Sequence, residues 1–116
     1  MSERYWQLSA KYLAEGKALF EKGDLQQASE KLWGAAAQAI KAVAEAKGWP
    51  HYKHRELVEA VSKLFKETKD VELLRLRDSA EALHSNFYEG FMSSEEVQLR
   101  IADVERLVEK LRKLIA

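Results

Sequence analysis

An all-α, up-and-down bundle of four long helices and one short helix, HEPN-like in form as argued below, is the architecture this sequence predicts. Three observations predict it. Apolar residues recur in steps of three and four almost from end to end, no segment alternates with the period of two expected of a strand, and glycine, aspartate and serine fall at the breaks between the periodic stretches. The chain has 116 residues, the usual size of one domain with one hydrophobic core, and nothing in it resembles a linker.

The first helix is expected from Glu3 to Lys22, where Tyr5, Leu8, Tyr12, Gly16 and Leu19 lie on one face and Trp6, Leu13 and Phe20 widen it. Gly23 ends it, and Asp24 with Gln27 opens the next as a capping-box variant, so the first two helices should be antiparallel neighbours. Helix two, Leu25 to Lys47, is apolar over most of its circumference and rich in alanine, which marks it as the central helix. Gly48, Trp49 and Pro50 stop it. A short third helix is expected from Lys53 to Lys66 on Leu57, Val61, Leu64 and Phe65. Asp70 caps a fourth, Val71 to Gly90, with the stripe Leu73, Leu76, Ala80, Leu83, Phe87. Ser93 with Glu96 forms a Ser-x-x-Glu box before the last helix, whose seam is Val97, Ile101, Val104, Val108, Leu111 and Ile115.

Composition excludes several classes of function. Cysteine is absent, which removes disulfides, thiol chemistry and cysteine-ligated zinc. Nineteen basic and nineteen acidic residues cancel, so the chain lacks the positive field of a general nucleic-acid binder, and any RNA contact must be local. No run reaches the roughly 20 apolar residues of a membrane span, and no basic-then-apolar leader opens the sequence, so a cytoplasmic protein without membrane attachment is expected. Abundant Lys and Glu, one asparagine and one proline fit a heat-adapted source. There is no glycine-rich phosphate loop, and no cofactor is expected.

Two clusters stand out. On the fourth helix, Arg77, Glu81, His84 and Tyr88 form one stripe beside the core stripe, because 100° per residue returns positions seven apart to nearly the same angle. Such a stripe should face a helix junction or a partner subunit, and across a twofold axis it would meet its own copy. The plainer alternative is that Arg77, Glu81 and His84 make intrahelical pairs. Lys53, His54 and Arg55, with His51 and Tyr52 before them, stand at the start of helix three, where free backbone N–H groups favour an anion or a nucleotide phosphate. Against this, a histidine there commonly packs on the bundle and bonds to backbone. Two histidines three apart with no third ligand predict no metal site. Trp6, Trp33 and Trp49 offer base-stacking surface, but at helical spacing Trp33 reads as core and Trp49 as a turn anchor.

The first-helix ending Ala18 to Asp24, the stretch Ala39-Ile40-Lys41-Ala42 on an alanine-rich second helix, and His54-x-x-Leu57 opening the third resemble the HEPN domain. Leu83 to Phe91, LHSNFYEGF, is similar to the archaeal PaREP-type repetitive proteins. The HEPN resemblance implies a homodimeric bundle. It further implies a module that binds nucleotide, RNA or a partner protein such as a small nucleotidyltransferase, or a metal-independent ribonuclease or toxin. Active members carry Arg, often a polar residue, four to six residues in all, then His. Arg77, Asp78 and His84 fit at the longest spacing. The resemblance assigns His84 as general acid or base and Arg77 to the scissile phosphate, with Asp78, Glu81 and Tyr88 in support. A second pattern, Gly16, Leu19, Gly23, Ala28, Leu32 and Ala35, matches one tetratricopeptide unit. No 34-residue period follows it, so the match reads as hairpin packing rather than a peptide-binding solenoid.

Overall fold

The computed structural model describes residues 2–115, and among them every regular element is helical: α1 (Ser2–Glu21), α2 (Leu25–Lys47), α3 (His54–Thr68), α4 (Val71–Glu89) and α5 (Ser94–Leu114). α2 is the only one that packs against all four others, and α1 touches only α2 and α5. The reason lies in its sequence. Ala28, Ala35, Ala39, Ala42 and Ala44 are fully buried, and alanine lets neighbouring backbones approach closely. Leu32 and Val43 fill the spaces between them.

The closest approach is between α1 and α2. A methyl group on Gly16 would lie 2.9 Å from Leu32 Cγ, so glycine is needed there for the hairpin to close. One turn and a half earlier, buried Ser9 donates to the Ala35 carbonyl at 2.7 Å. These contacts explain the tetratricopeptide-like spacing as the packing of one helical hairpin.

Helix ends follow their local chemistry. Asp24 accepts from the Gln27 N–H at 3.2 Å, and Ser93 and Glu96 exchange side-chain-to-backbone bonds in a complete capping box. Gly48 is left-handed at φ 75°, with Trp49 N–H reaching back to the Ala44 carbonyl. α3 runs on to Thr68, past the expected end at Lys66, because no glycine stops it. Lys69 itself takes the left-handed conformation at φ 63°.

Two stripes shift from expectation. In α4, Leu73, Leu76, Ala80 and Leu83 are buried as read, but at the last turn Asn86 is buried and Phe87 only half so. Asn86 donates to Ser29 Oγ at 2.9 Å and accepts from the Met92 N–H at 2.8 Å, fastening the α4–α5 connection onto α2. In α5, Leu107 joins Val97, Val104 and Leu111 in the core, while Ile101, Val108 and Ile115 stay half-buried at its margin. No helix among the described residues is long and apolar enough to cross a membrane.

Candidate functional site

The stripe on α4 divides between two neighbours. Arg77 turns to α3: its Nη1 donates to Ser62 Oγ at 2.8 Å and to the Val58 carbonyl at 3.3 Å, while its Nε donates to Asp78 at 3.1 Å. Only 15% of this side chain is exposed, so the guanidinium braces α4 against α3. His84 turns to α2, where Nδ1 lies 3.0 Å from Glu30 Oε1. The structure therefore brings Arg77 together with Asp78, and His84 together with Glu30. It directs the first two toward α3 and the second two toward α2.

Glu81, between them, bridges elements. One of its oxygens lies 2.7 Å from His54 Nε2, at the first turn of α3, and the other accepts from Trp33 Nε1 at 3.3 Å. Trp33 stacks on the His84 ring, with centroids 4.2 Å apart and planes 22° apart, and meets His54 edge-on at 5.9 Å. The two imidazoles are 5.6 Å apart, and Tyr88 stands edge-on to His84 at 5.4 Å. An ionised carboxylate only accepts, so each histidine presents an N–H to its glutamate. In the neutral rings this leaves His54 Nδ1 and His84 Nε2 as the acceptors.

A cavity of about 310 Å³ opens beside this cluster. The rings of Tyr12, Trp33, Tyr52 and His54 line it together with Lys31 and Lys41, and Gly34 and Ala37 keep its α2 wall low. Lys31 is committed, held by Glu15 at 2.9 Å and lying 5.0 Å over the Tyr12 ring. That ion pair, through a direct hydrogen bond, draws the Glu15 carboxyl below its usual range. Lys41 has no carboxylate partner among the described residues.

The start of α3 differs from the anion seat expected of Lys53, His54 and Arg55. The Glu56 carboxylate accepts from the N–H groups of both Tyr52 and Lys53 at 2.9 Å, an internal anion where an external one was expected. The Lys53 N–H, then that of Tyr52, hold this carboxyl below the usual carboxylate range. His54 belongs to the Glu81 cluster, while the Lys53 and Arg55 side chains are exposed. His51 packs as a structural histidine: it is buried, its Nδ1 lies 2.8 Å from the Trp49 carbonyl, and Tyr5 meets its ring edge-on. No group of three metal-ligating side chains occurs among the described residues.

Sequence reasoning missed Glu30 and read Trp33 as core, whereas Trp33 is half-buried and central to the cluster. The signal was present in the spacing of Glu30, Trp33 and Gly34, Gln38 and Lys41, which return every three or four residues along one edge of α2. It became a site only through Glu81 and His84, about fifty residues away.

These features define a class: a five-helix bundle with an aromatic, histidine- and carboxylate-lined cleft where α2, α3 and α4 meet. The sequence model of the archaeal PaREP1/PaREP8 family matches residues 4–108, and the chain belongs to that family. It is similar to a protein from Sulfolobus solfataricus of known crystal structure, with 27% identity and a TM-score of 0.82 over 94% of this chain and 97% of that one. No curated protein matches it.

Proposed function

We propose that this chain is a HEPN-like module that binds a nucleotide, free or within an RNA strand, in the Trp33 pocket and acts without catalysis. The observation that carries this reading is the pocket itself. Four aromatic rings and an unpaired lysine converge on a cavity at the lower end of the size range typical of small-molecule sites. Rings stack on any base, and a lysine meets a phosphate as a point charge. The near-zero net charge of the chain fits such a local site better than an extended phosphate-tracking groove.

Titration of the intrinsic tryptophan fluorescence with nucleoside monophosphates and with a short single-stranded RNA tests the proposal. Saturable quenching is expected. Trp33→Ala should weaken binding by about 1–3 kcal/mol, the worth of a stacked base, and His84→Ala should retain it. Absence of a saturable signal with every nucleotide and RNA tried would overturn the reading.

One observation favours a second reading, a metal-independent ribonuclease or toxin. His54 and His84 are adjacent, and each is backed by a carboxylate, the arrangement that orients an imidazole for proton transfer. Because the guanidinium of Arg77 is engaged with α3, transition-state charge in this reading would fall to Lys41 or to groups of a second subunit. Exposed Tyr88 and Phe91, beside the cluster, supply the surface on which we place a homodimer. RNA incubated in EDTA with the parent protein, His84→Ala and Arg77→Ala separates the two readings: cleavage lost with His84 supports the nuclease, and no cleavage by the parent removes it.

A further inference from the structure

The Gln38 side chain lines the α2 wall of the pocket, and its Oε1 is buried without a hydrogen-bond partner. Nearly all buried polar atoms in folded proteins find one, so an orphaned acceptor calls for an explanation. Two other buried side-chain atoms share this isolation, and each has a local account. Glu15 Oε1 is the oxygen in the ion pair with Lys31, and His51 Nε2 belongs to a ring packed between Tyr5 and Tyr52, away from the pocket. Gln38 alone places its unpaired atom on a side chain that forms a wall of the cavity.

From this we infer that Gln38 is the specificity-determining residue of the pocket and selects a base carrying an amino group beside a ring-nitrogen acceptor, that is, adenine or cytosine. The inference rests on the nucleotide-binding reading above. A carboxamide carries an acceptor next to a donor, and the amino-bearing edge of adenine or cytosine carries the complementary donor next to an acceptor. Rotation of the side chain about its last torsions turns the carboxamide toward a base stacked among Tyr12, Trp33 and Tyr52. The amino N–H then supplies the partner that Oε1 lacks, while the amide NH₂ meets the ring nitrogen. The oxo counterparts, hypoxanthine and uracil, oppose an acceptor to an acceptor and leave both unpaired. A site built on hydrogen bonds rejects an analogue that cannot make them.

Calorimetric titration with AMP, CMP, IMP and UMP tests this. AMP or CMP should bind at least about tenfold more tightly than its oxo counterpart, and the purine and pyrimidine arms show which ring size the cavity accepts. Gln38→Leu, which keeps the helix-forming character of the position, should collapse that ratio to near one. Gln38→Glu, which keeps the acceptor and loses the donor, should retain a reduced preference for the amino base. Circular dichroism of each variant confirms the fold. Equal binding of all four nucleotides by the parent, or a preference that Gln38→Leu leaves intact, overturns the role of Gln38 while nucleotide binding stands. Binding of none of the four at concentrations where a short RNA also fails overturns both.

Discussion

Gly16 and Gly34 both sit inside helices, yet a methyl group at each would meet a different neighbour. At Gly16 it would lie 2.9 Å and 3.0 Å from carbons of fully buried Leu32 and 3.3 Å from the Leu32 backbone nitrogen, none of which can yield easily. At Gly34 it would lie 3.2 Å from the ring of half-buried Tyr12, which can tilt. Alanine gains about 1 kcal/mol over glycine in a helix interior, and overpacking a tight core costs about 1–3 kcal/mol. Gly16→Ala should therefore lose about 1 kcal/mol in urea unfolding, while Gly34→Ala should stay within about 0.5 kcal/mol of the parent. A Gly16→Ala protein as stable as the parent would show that the hairpin is not tightly closed there. Residue chemistry of this kind was partly legible beforehand: Gly16 was read on the inner face of α1, and Ser93 and Glu96 as a cap. The partners of Trp33 were not, because a tryptophan at helical spacing carries no mark of whether its ring meets leucines or, as here, His84 and Glu81. Nor was the orphaned oxygen of Gln38, which sequence places only on a wet edge.

At the scale of elements, α4 begins against the end of α5 through a compact charge cluster. Lys110 pairs with Asp70 at 2.6 Å and Glu72 at 2.9 Å, and Arg106 donates to Glu72 at 2.9 Å. Arg106 first, then Lys110, hold the Glu72 carboxyl down to about 2 from its ordinary 4.5, and Lys110 holds Asp70 below its ordinary 3.8. A carboxyl whose folded pKa is depressed contributes stability that is present above the unfolded value and is lost as pH falls through the folded one. The contribution should therefore be complete above pH 4.5 and vanish toward pH 2. Lys110→Met should lower Tm relative to the parent at pH 6, and the two melting curves should converge near pH 2. Because these side chains are partly exposed, 1 M salt should also narrow the gap. A gap that is constant from pH 6 to pH 2 would assign the loss to packing of the lysine stem instead. This cluster escaped sequence reading because Asp70 and Lys110 are forty residues apart. The ends of α2, by contrast, were legible to the residue, since Asp24 and Gly48 mark them by local chemistry alone. α3 lacked such a mark at its end, where Lys69 takes the turn that glycine usually takes.

For the whole molecule, the number of chains in the working unit separates the two functional readings. The pocket lined by Tyr12, Trp33, Tyr52, His54 and Lys41 is complete within one chain and needs no partner to bind a nucleotide. The nuclease reading requires a second subunit to supply charge that Arg77, held on α3, does not bring to His84. Tyr88 is 69% exposed and Phe91 58% exposed, large aromatic surfaces on the side of α4 that carries His84, and an isologous contact there would set each cluster beside its twofold copy. Light scattering at micromolar concentration should accordingly give twice the chain mass. Tyr88→Glu together with Phe91→Glu should halve it without loss of helical circular dichroism, because neither side chain supports the core and a buried unpaired carboxylate opposes association. If the parent is a monomer, or if the double variant remains a dimer, the surface assigned to the twofold contact is wrong. A monomeric parent that still binds nucleotide would leave the single-chain pocket as the functional unit, and the composite nuclease site would fall with the dimer.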